Sequence, residues 1–416
     1  MKILMVAEKP SIAKAIADSL SGKRGPIQRR GISRALPVYE FTTNRFTPSN
    51  GQPCLVRVTS VVGHIYSLGF DFDAQHKDQR TNPRDYFSLP VTKKEESTTS
   101  KLRVIDHLKA LAGDSEHLVL WLDCDAEGEN IAHEVIAVCR KAMYHKASVL
   151  GVDTTRVHRA KFSAITPKAL QDSFSSLDEP DPALSRSVDA RQELDLRIGV
   201  ALTRLLTWRC VNIARQRFSS STRMISYGPC QTPALSFCVD RLREIETFVA
   251  KRYWKIDAQV KLPDGSKAEL KWRVPTNDAV IDTRNKREGV YEEGATFSQQ
   301  AAKELIGRAK ATDVVVKEVT RTSESIKPPV GLNTVALLEA GSKAMGMSPK
   351  SVMSIAEKLY SAGFISYPRT ETTRYDPNGF DARSLLREHC SSKEWGKCAS
   401  YLLRTRKTNK PPNRGK

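Results

Sequence analysis

The run Leu118-Val119-Leu120-Trp121-Leu122, followed at once by Asp123-Cys124-Asp125-Ala126-Glu127-Gly128-Glu129, decides how the chain is read. Five apolar residues ending in acids mark the carboxyl end of a buried strand, and Ile131, Val135, Ile136 and Val138 continue at helical spacing. Alternate strand residues point the same way, so Asp123 and Asp125 share one side, with Glu127 if the chain stays extended. Cys124 then faces the core. Like charges this close do not all ionise cheaply: either some pKa values rise or a cation sits among them, and hard oxygen donors suit magnesium. The plainer reading is a solvated acidic turn that caps the next helix.

The same strand, charged turn and helix open the chain. Residues 2–7 form an apolar run, Glu8-Lys9-Pro10-Ser11 turns, and residues 12–20 repeat at helical spacing with Pro10 in the first turn. In an open α/β sheet the functional crevice lies beyond the carboxyl ends of the strands, which places Glu8 and Lys9 beside Asp123 and Asp125. Residues 55–62 read as a third strand ending at Gly63-His64, where His64 either contacts phosphate or simply closes the strand. Residues 71–100 read as polar and irregular.

The 416 residues suffice for two to four domains, and 66 Lys and Arg against 47 Asp and Glu leave a formal charge of +19. That balance points to a polyanionic partner, with nucleic acid the default. No apolar stretch approaches the ~20 residues that cross a bilayer, and the apolar opening is too short for a signal peptide, so the expectation is an intracellular chain with no membrane partner. Eight cysteines without a Cys-x-x-Cys pair exclude a zinc module or a disulfide framework. Met347 stands where a phosphate-binding loop needs lysine, which argues against ATP-driven chemistry.

Farther along, residues 156–163 are basic and strand-like and lead into a helix at Pro167. Residues 188–208 read as a long helix with Leu194, Ile198, Ala201, Leu202 and Leu205 inside and Arg191, Arg197 and Arg204 interspersed. Arg191 and Asp195 are spaced for an i,i+4 ion pair. Ser226-Tyr227-Gly228-Pro229-Cys230-Gln231 is a turn that opens another helix, and helix starts bind phosphate through free N–H groups. Alternating residues on either side of Pro263-Asp264-Gly265 predict a hairpin, 314–319 a further strand, and 323–329 a linker. Two helices follow, over 332–345 and from Ser348-Pro349 to Gly363, the second with Val352, Ile355, Ala356, Leu359 and Tyr360 on one face; the tail from 404 reads as disordered.

After Gly363 an apolar strand, Phe364-Ile365-Ser366, delivers Tyr367, with Arg369 two positions on. A phenol is a poor nucleophile at neutral pH, so covalent use of Tyr367 needs a nearby cation, which Arg369 supplies. Pattern alone favours Tyr367 as a packed core tyrosine over a nucleophile, and Tyr375 is an equally available phenol.

Taken together, Val6-Ala7-Glu8-Lys9-Pro10-Ser11, the Asp123 to Glu129 cluster, Asp189-Ala190-Arg191-Gln192-Glu193-Leu194-Asp195-Leu196-Arg197-Ile198-Gly199 and Gly363-Phe364-Ile365-Ser366-Tyr367-Pro368-Arg369-Thr370-Glu371-Thr372 closely resemble type IA DNA topoisomerases. The likeness is to the eukaryotic topoisomerase III branch, with Gly228-Pro229-Cys230-Gln231-Thr232-Pro233 and the run from Pro328 to Thr334 nearer its beta form. The resemblance implies a multidomain toroidal core: a Rossmann-like α/β toprim domain over 1–165, a helical strand-binding domain over 166–245, a β-rich arch over 246–322 and a helical domain carrying the tyrosine over 323–416. It also implies a core that runs on past Lys416, so that the sequence is incomplete at its C-terminus.

By motif match, Glu8, Asp123 and Asp125, with Glu127 assisting, would hold Mg2+. Tyr367 would attack a strand to give a 5′-phosphotyrosine, Arg369 and Lys9 would steady the phosphate, and Glu8 would protonate the leaving oxygen. His64, Arg159, Arg191, Asp195, Arg197, Ser226, Gly228 and Gln231 would touch the strand. The implied activity is ATP-independent passage of one strand through another, on single-stranded or underwound DNA with RNA as an alternative, in the nucleus and also the cytoplasm, guided by a helicase or scaffold protein. A toprim nuclease or primase, or a non-catalytic nucleic-acid binder, shares part of this evidence. The resemblance demands that Tyr367 lie close to Glu8 and Asp123.

Overall fold

The structure, a computed structural model, describes residues 1–71, 82–147, 156–250, 252–271, 279–281, 291–311, 315–323, 330–374 and 382–405. Tyr375 and most of residues 323–329 and 404–416 therefore lie outside the described residues. The chain divides into two units, one made of Met1–Pro229 with Pro328–Lys416 and the other of Cys230–Lys327.

The larger unit begins with β1 (Lys2–Ala7), α1 (Pro10–Leu20), β2 (Ile27–Arg29), β3 (Val38–Thr43), β4 (Cys54–Ser60), β5 (Tyr66–Phe70), β6 (Val91–Glu95), α2 (Ser97–Leu102), α3 (Val104–Ala112) and β7 (His117–Trp121). Then come α4 (Ala126–Ala147), β8 (Val157–Arg159), α5 (Pro167–Ser175) and α6 (Pro182–Arg217). Six strands form one sheet in the order β2-β3-β4-β1-β7-β8. β1 lies parallel to β4 and β7, and β7 to β8, while β3 is antiparallel to both β4 and β2.

Period-two alternation gives this sheet two cores. On one face Ile3, Met5 and Ala7 pack with Ile12 and Ile16 of α1 and Leu170 and Phe174 of α5. On the other, Leu4 and Val6 pack with Val104 and Leu108 of α3 and Ile131 and Val135 of α4. A strand apolar on both faces belongs to a parallel sheet covered on both sides, which is why residues 3–7 and 118–122 are uninterrupted apolar runs. The acidic turn sits where β7 leaves this sandwich.

Of the stretch 71–100, residues 72–81 lie outside the described residues, and residues 82–100 are more ordered than their polarity predicts. Tyr66–Phe70 pairs antiparallel with Val91–Glu95, and α2 follows. The alternation there was masked because Val91-Thr92-Lys93-Lys94-Glu95 is only partly buried.

The smaller unit holds α7 (Gln231–Glu246), β9 (Trp254–Lys255), β10 (Asp257–Lys261), β11 (Lys267–Lys271), β12 (Ala279–Ile281), β13 (Tyr291–Thr296) and α8 (Gln299–Ala311). The predicted hairpin is β10–β11, with Gly265 at φ 85° in its turn. The expected strand over 314–319 is not formed: residues 315–323 are irregular.

The larger unit resumes with α9 (Thr334–Met345), α10 (Pro349–Ser361), α11 (Ala382–His389) and α12 (Gly396–Thr405). Asn333 and Ser348 cap α9 and α10 by accepting from the N–H groups of Ala336 and Ser351. The inward face of α10 is narrower than predicted: Val352, Ala356 and Tyr360 are buried, whereas Ile355 and Leu359 are exposed. Among the described residues, no helix is long and apolar enough to cross a membrane.

Candidate active site

Asp123 is the last buried residue after β7, and Asp125 and Glu127 stand at the start of α4. The chain does not stay extended here. It bends sharply enough that a Cβ on Gly128 would meet the Asp123 carbonyl oxygen at 2.1 Å. Asp125 Oδ1 accepts from Gly128 N–H at 2.7 Å, which ties the turn. The bend exposes Cys124, contrary to its expected place in the core, and Phe162 N–H donates to its sulfur.

Glu8, just past β1, accepts from the Asp123 N–H at 3.2 Å. Burial pushes the Glu8 carboxyl up to about 7, with the Asp123 charge adding to the rise, Lys9 and the Asp123 N–H opposing it, and Asp125 adding a little. Lys9 Nζ lies 3.7 Å from Glu8 and 3.8 Å from Asp123. The two turns expected to share one crevice therefore do.

Tyr367 enters that crevice. Its hydroxyl donates to Asp125 Oδ2 at 2.5 Å, across 242 positions of sequence. Burial raises the phenol above its ordinary range, and the bond to Asp125 with the charges of Asp125, Asp123 and Glu8 raises it further. The phenol is thus neutral and a donor. No strand delivers it: residues 364–367 are irregular and Phe364 is exposed. Instead Tyr367 N–H donates to Ser163 O at 2.8 Å, and Thr334 at the start of α9 grips the other side. Thr334 Oγ1 donates toward Pro368 O and Thr370 O and accepts from Thr370 N–H at 2.8 Å.

Tyr360 is a site residue that reading the sequence missed. It is 2% exposed, its hydroxyl donates to Asp123 Oδ1 at 2.9 Å, and its ring meets that of Tyr367 edge to face at 5.2 Å. The only signal was its place on the inward face of α10, which reads as packing.

Several predicted contacts resolve differently. Glu127 does not join the other carboxylates: its oxygens take Arg191, in a short contact, and His64 Nε2 at 3.1 Å. Arg191 accordingly pairs with Glu127 and not with Asp195, which is exposed on α6. His64 also reaches Glu134 Oε1 at 3.4 Å, and Glu134 is the main cause of its raised pKa. Arg159 is 1% exposed and presents nothing to a strand. Its guanidinium donates to Glu129 Oε2 at 2.9 Å and to the carbonyls of Leu122, Asp123 and Ala160, each at 2.8 Å. Arg197 is likewise committed, to Glu193 and to the carbonyls of Tyr86, Phe87 and Leu89. Arg369 pairs with Glu357, making two bonds to one oxygen, beside the tyrosine rather than on it.

Ser226 and Gly228 lie on a segment laced along α6, where Thr207 and Thr203 accept from the N–H groups of Ile225 and Tyr227. Gln231 is the first residue of α7, in the smaller unit.

Among the described residues, no three carboxylate, histidine or cysteine groups already stand in a metal-holding arrangement. The donor set nonetheless fits a hard cation: Glu8, Asp123 and Asp125 share one pocket, and Lys9 is the one cation within 4 Å of Glu8 and Asp123 among the described ion pairs. Two of the acceptor oxygens in that pocket are taken by tyrosine hydroxyls.

Two family profiles match the chain, "Toprim domain" over residues 3–165 and "DNA topoisomerase" over 179–416. DNA topoisomerase 3-beta of Oryza sativa subsp. japonica is 39% identical over 408 residues, covering 97% of this chain and 42% of the relative. DNA topoisomerase 3-beta-1 of Homo sapiens is 38% identical over 404 residues, covering 96% and 43%. DNA topoisomerase 3-alpha of Arabidopsis thaliana is 36% identical over 409 residues, covering 96% and 40%. The chain thus spans about two fifths of the length of these relatives. The full-length topoisomerase I structure from Thermotoga maritima shares the fold, with a TM-score of 0.53 and 23% identity over 92% of this chain and 52% of that one. With both profiles, the parallel sheet and the tyrosine brought to its acidic end, the chain belongs to the DNA topoisomerase family, on the type IA topoisomerase III branch and similar to the beta form.

Proposed function

We propose that this chain carries the strand-cleaving centre of a type IA topoisomerase, in which Tyr367 Oη attacks a backbone phosphorus of a single strand. The Oη–P bond forms as the P–O3′ bond breaks, the phenol proton passing to Asp125, its hydrogen-bond acceptor, and O3′ taking a proton, to leave a 5′-phosphotyrosine and a free 3′-hydroxyl. Exchanging one phosphoester for another conserves bond energy, so resealing after strand passage needs no ATP. The observation that carries this reading is the Tyr367 to Asp125 hydrogen bond, which seats a phenol among the acids of a toprim sheet.

Glu8 fits the role of proton donor to O3′, because burial and the neighbouring acids favour its protonated form near neutrality. Lys9, 45% exposed at its side chain, is placed to meet an incoming phosphate. Arg369 lies two residues from the nucleophile and reaches the same phosphate by exchanging Glu357 for it. Glu8, Asp123 and Asp125 are the residues that would hold Mg2+, which would supply positive charge against the carboxylates and the strand ends. Glu127 is better read as the anchor of Arg191, holding α6 against the start of α4.

The division into 1–165, 166–245, 246–322 and 323–416 remains our working domain scheme. Underwound or single-stranded DNA is the proposed substrate, with RNA as an alternative strand, nuclear location and a helicase or scaffold protein as guide. The test uses the protein with its full core and a labelled single-stranded oligonucleotide. A denaturant-stable adduct should form, vanish in Tyr367→Phe and persist in Tyr375→Phe. A metal-dependent nick without attached protein would favour a toprim nuclease, and loss of the adduct in Tyr375→Phe alone would move the nucleophile.

A further inference from the structure

The edge of the sheet farthest from β8 carries a charge pattern that the cleavage centre does not use. Between Asp18 and Glu40 there is no acid, and Lys23, Arg24, Arg29, Arg30 and Arg34 fall within twelve positions. Arg29 is balanced by Glu40, which also takes Arg57. Arg30 and Arg34 are exposed, and among the described residues neither has an acidic partner. Together with Gln28, Gly31 and Pro37 the three arginines line a cleft of about 270 Å³.

The loop is held in one shape. A Cβ on Gly31 would stand 1.9 Å from Leu36 O and 2.7 Å from the His107 ring, so the backbone passes where only glycine fits. Ile32 N–H donates to His107 Nδ1 at 3.3 Å. Thr59, bonded to the other ring nitrogen of His107 at 2.8 Å, donates to Pro37 O at 3.1 Å. Leu36 is fully buried and closes a turn on Ser33. Arg30 and Arg34 therefore project from a fixed frame.

Topology says which way that frame faces. β2 is antiparallel to β3, and β3 to β4, which is parallel to β1, so β2 runs with β1. Following the register, Arg29 lies opposite Val38, whose neighbour Tyr39 pairs with Val58, itself opposite Met5. The arginine loop thus leaves β2 at the level where β1 gives way to Glu8, on the same end of the sheet as the acidic turn. With neighbouring strands ~4.8 Å apart, β2 stands about 14 Å from β1 along that rim.

We propose that this arginine cleft is a second phosphate site, engaging the backbone of the same single strand a few nucleotides away from the phosphate at Tyr367. It rests on the cleavage-centre reading only for which strand occupies it. The shape suits phosphate oxygens, which accept the forked N–H groups of arginine, and involves no base edges, so the contact is indifferent to sequence.

The test is fluorescence anisotropy of this 416-residue chain with labelled 3- and 24-nucleotide single strands of dT and rU across a salt series. In Arg30→Gln/Arg34→Gln, affinity for the 24-mers should fall at least fivefold while the 3-mers, too short to reach the cleft from the acidic crevice, change less than twofold. The slope of log K against log salt for the 24-mer should flatten by about 1.4, from two lost contacts at ~0.7 each. Thermal melting checks that the exposed arginines leave the fold intact. Equal losses for both lengths, no loss, or no binding of the 24-mer by the wild-type chain would each overturn the proposal. If the length effect appears while the intact protein forms no Tyr367 adduct, the cleft stands and the cleavage reading falls.

Discussion

Arg159 shows how far a charge can be from solvent in a strongly basic chain. Four basic or histidine side chains in six residues read as a surface, yet this one lies under the acidic turn, with its fork filled by Glu129 and three carbonyls. Glu129 in turn accepts from Asp181 N–H at 2.7 Å, which fixes where α6 begins. Removing one partner of a buried pair strands the other, at a cost of about 3–5 kcal/mol. Arg159→Ala should therefore lower unfolding stability by about that much in urea denaturation, and an exposed-arginine loss, below about 0.5 kcal/mol, would contradict the buried role. Tyr360 makes a milder case. Tyr360→Phe keeps the ring against Tyr367 and removes only the donor to Asp123, so stability should fall by about 1–3 kcal/mol. Adduct formation in the intact protein should slow as Asp123 loses its fixed orientation, and an unchanged rate would show that this bond does not position the site.

At the scale of elements, the strand, acid and helix units at residues 2–20 and 118–138 were legible because a buried parallel strand cannot be other than a continuous apolar run. The meeting of Glu8 with Asp123 was legible too, since sheet topology places carboxyl ends together. What was not legible depends on partners distant in sequence. Glu127 left the carboxylate set because Arg191 and His64, 64 and 63 positions away, claimed it. Along α6, Leu194 is 58% exposed although helical spacing assigned it inward, because the helix is buried only at Ser185, Val188 and Ala201. The tyrosine segment needed no strand because Ser163 O, which accepts from Tyr367 N–H, and the several hydrogen bonds of Thr334 with Pro368 and Thr370 hold it. That arrangement predicts a local effect: Thr334→Val should speed amide exchange at Thr370 roughly tenfold, the equivalent of about 1.4 kcal/mol, with little change at Val352 inside α10. Unchanged exchange at Thr370 would mean that the α9 grip is not what orders the segment.

Over the whole molecule, a formal charge of +19 coexists with one buried histidine, His107, and two half-buried ones, His117 and His158, whose pKa values burial lowers. His107 is 1% exposed, and burial lowers its pKa to about 4. Its tautomer is fixed by its partners: Nδ1 accepts from Ile32 N–H, so Nε2–H donates to Thr59, whose own proton goes to Pro37 O. A second proton on His107 would face the Ile32 N–H donor. His117 is also held near 4 by burial and by His158, which stacks on it with ring nitrogens 3.1 Å apart. In the unfolded chain these rings titrate near 6.5, so between about pH 6.5 and 4 the unfolded state binds protons that the folded state refuses. Each such histidine therefore withdraws stability as pH falls through that window, at up to about 1.4 kcal/mol per pH unit, and adds nothing further below 4. Glu8 works in the opposite sense: its folded carboxyl stays protonated up to about 7, so its contribution grows as pH falls from 7 toward 4.5. The net curve mixes both signs, and the difference between variants isolates one group. His107→Gln, which keeps an acceptor and a donor, should be less stable than the parent at pH 7.5 and should lose less stability than the parent between pH 6.5 and 4.5. Parallel urea-midpoint curves for the two proteins over that range would show that His107 is not held neutral by the fold.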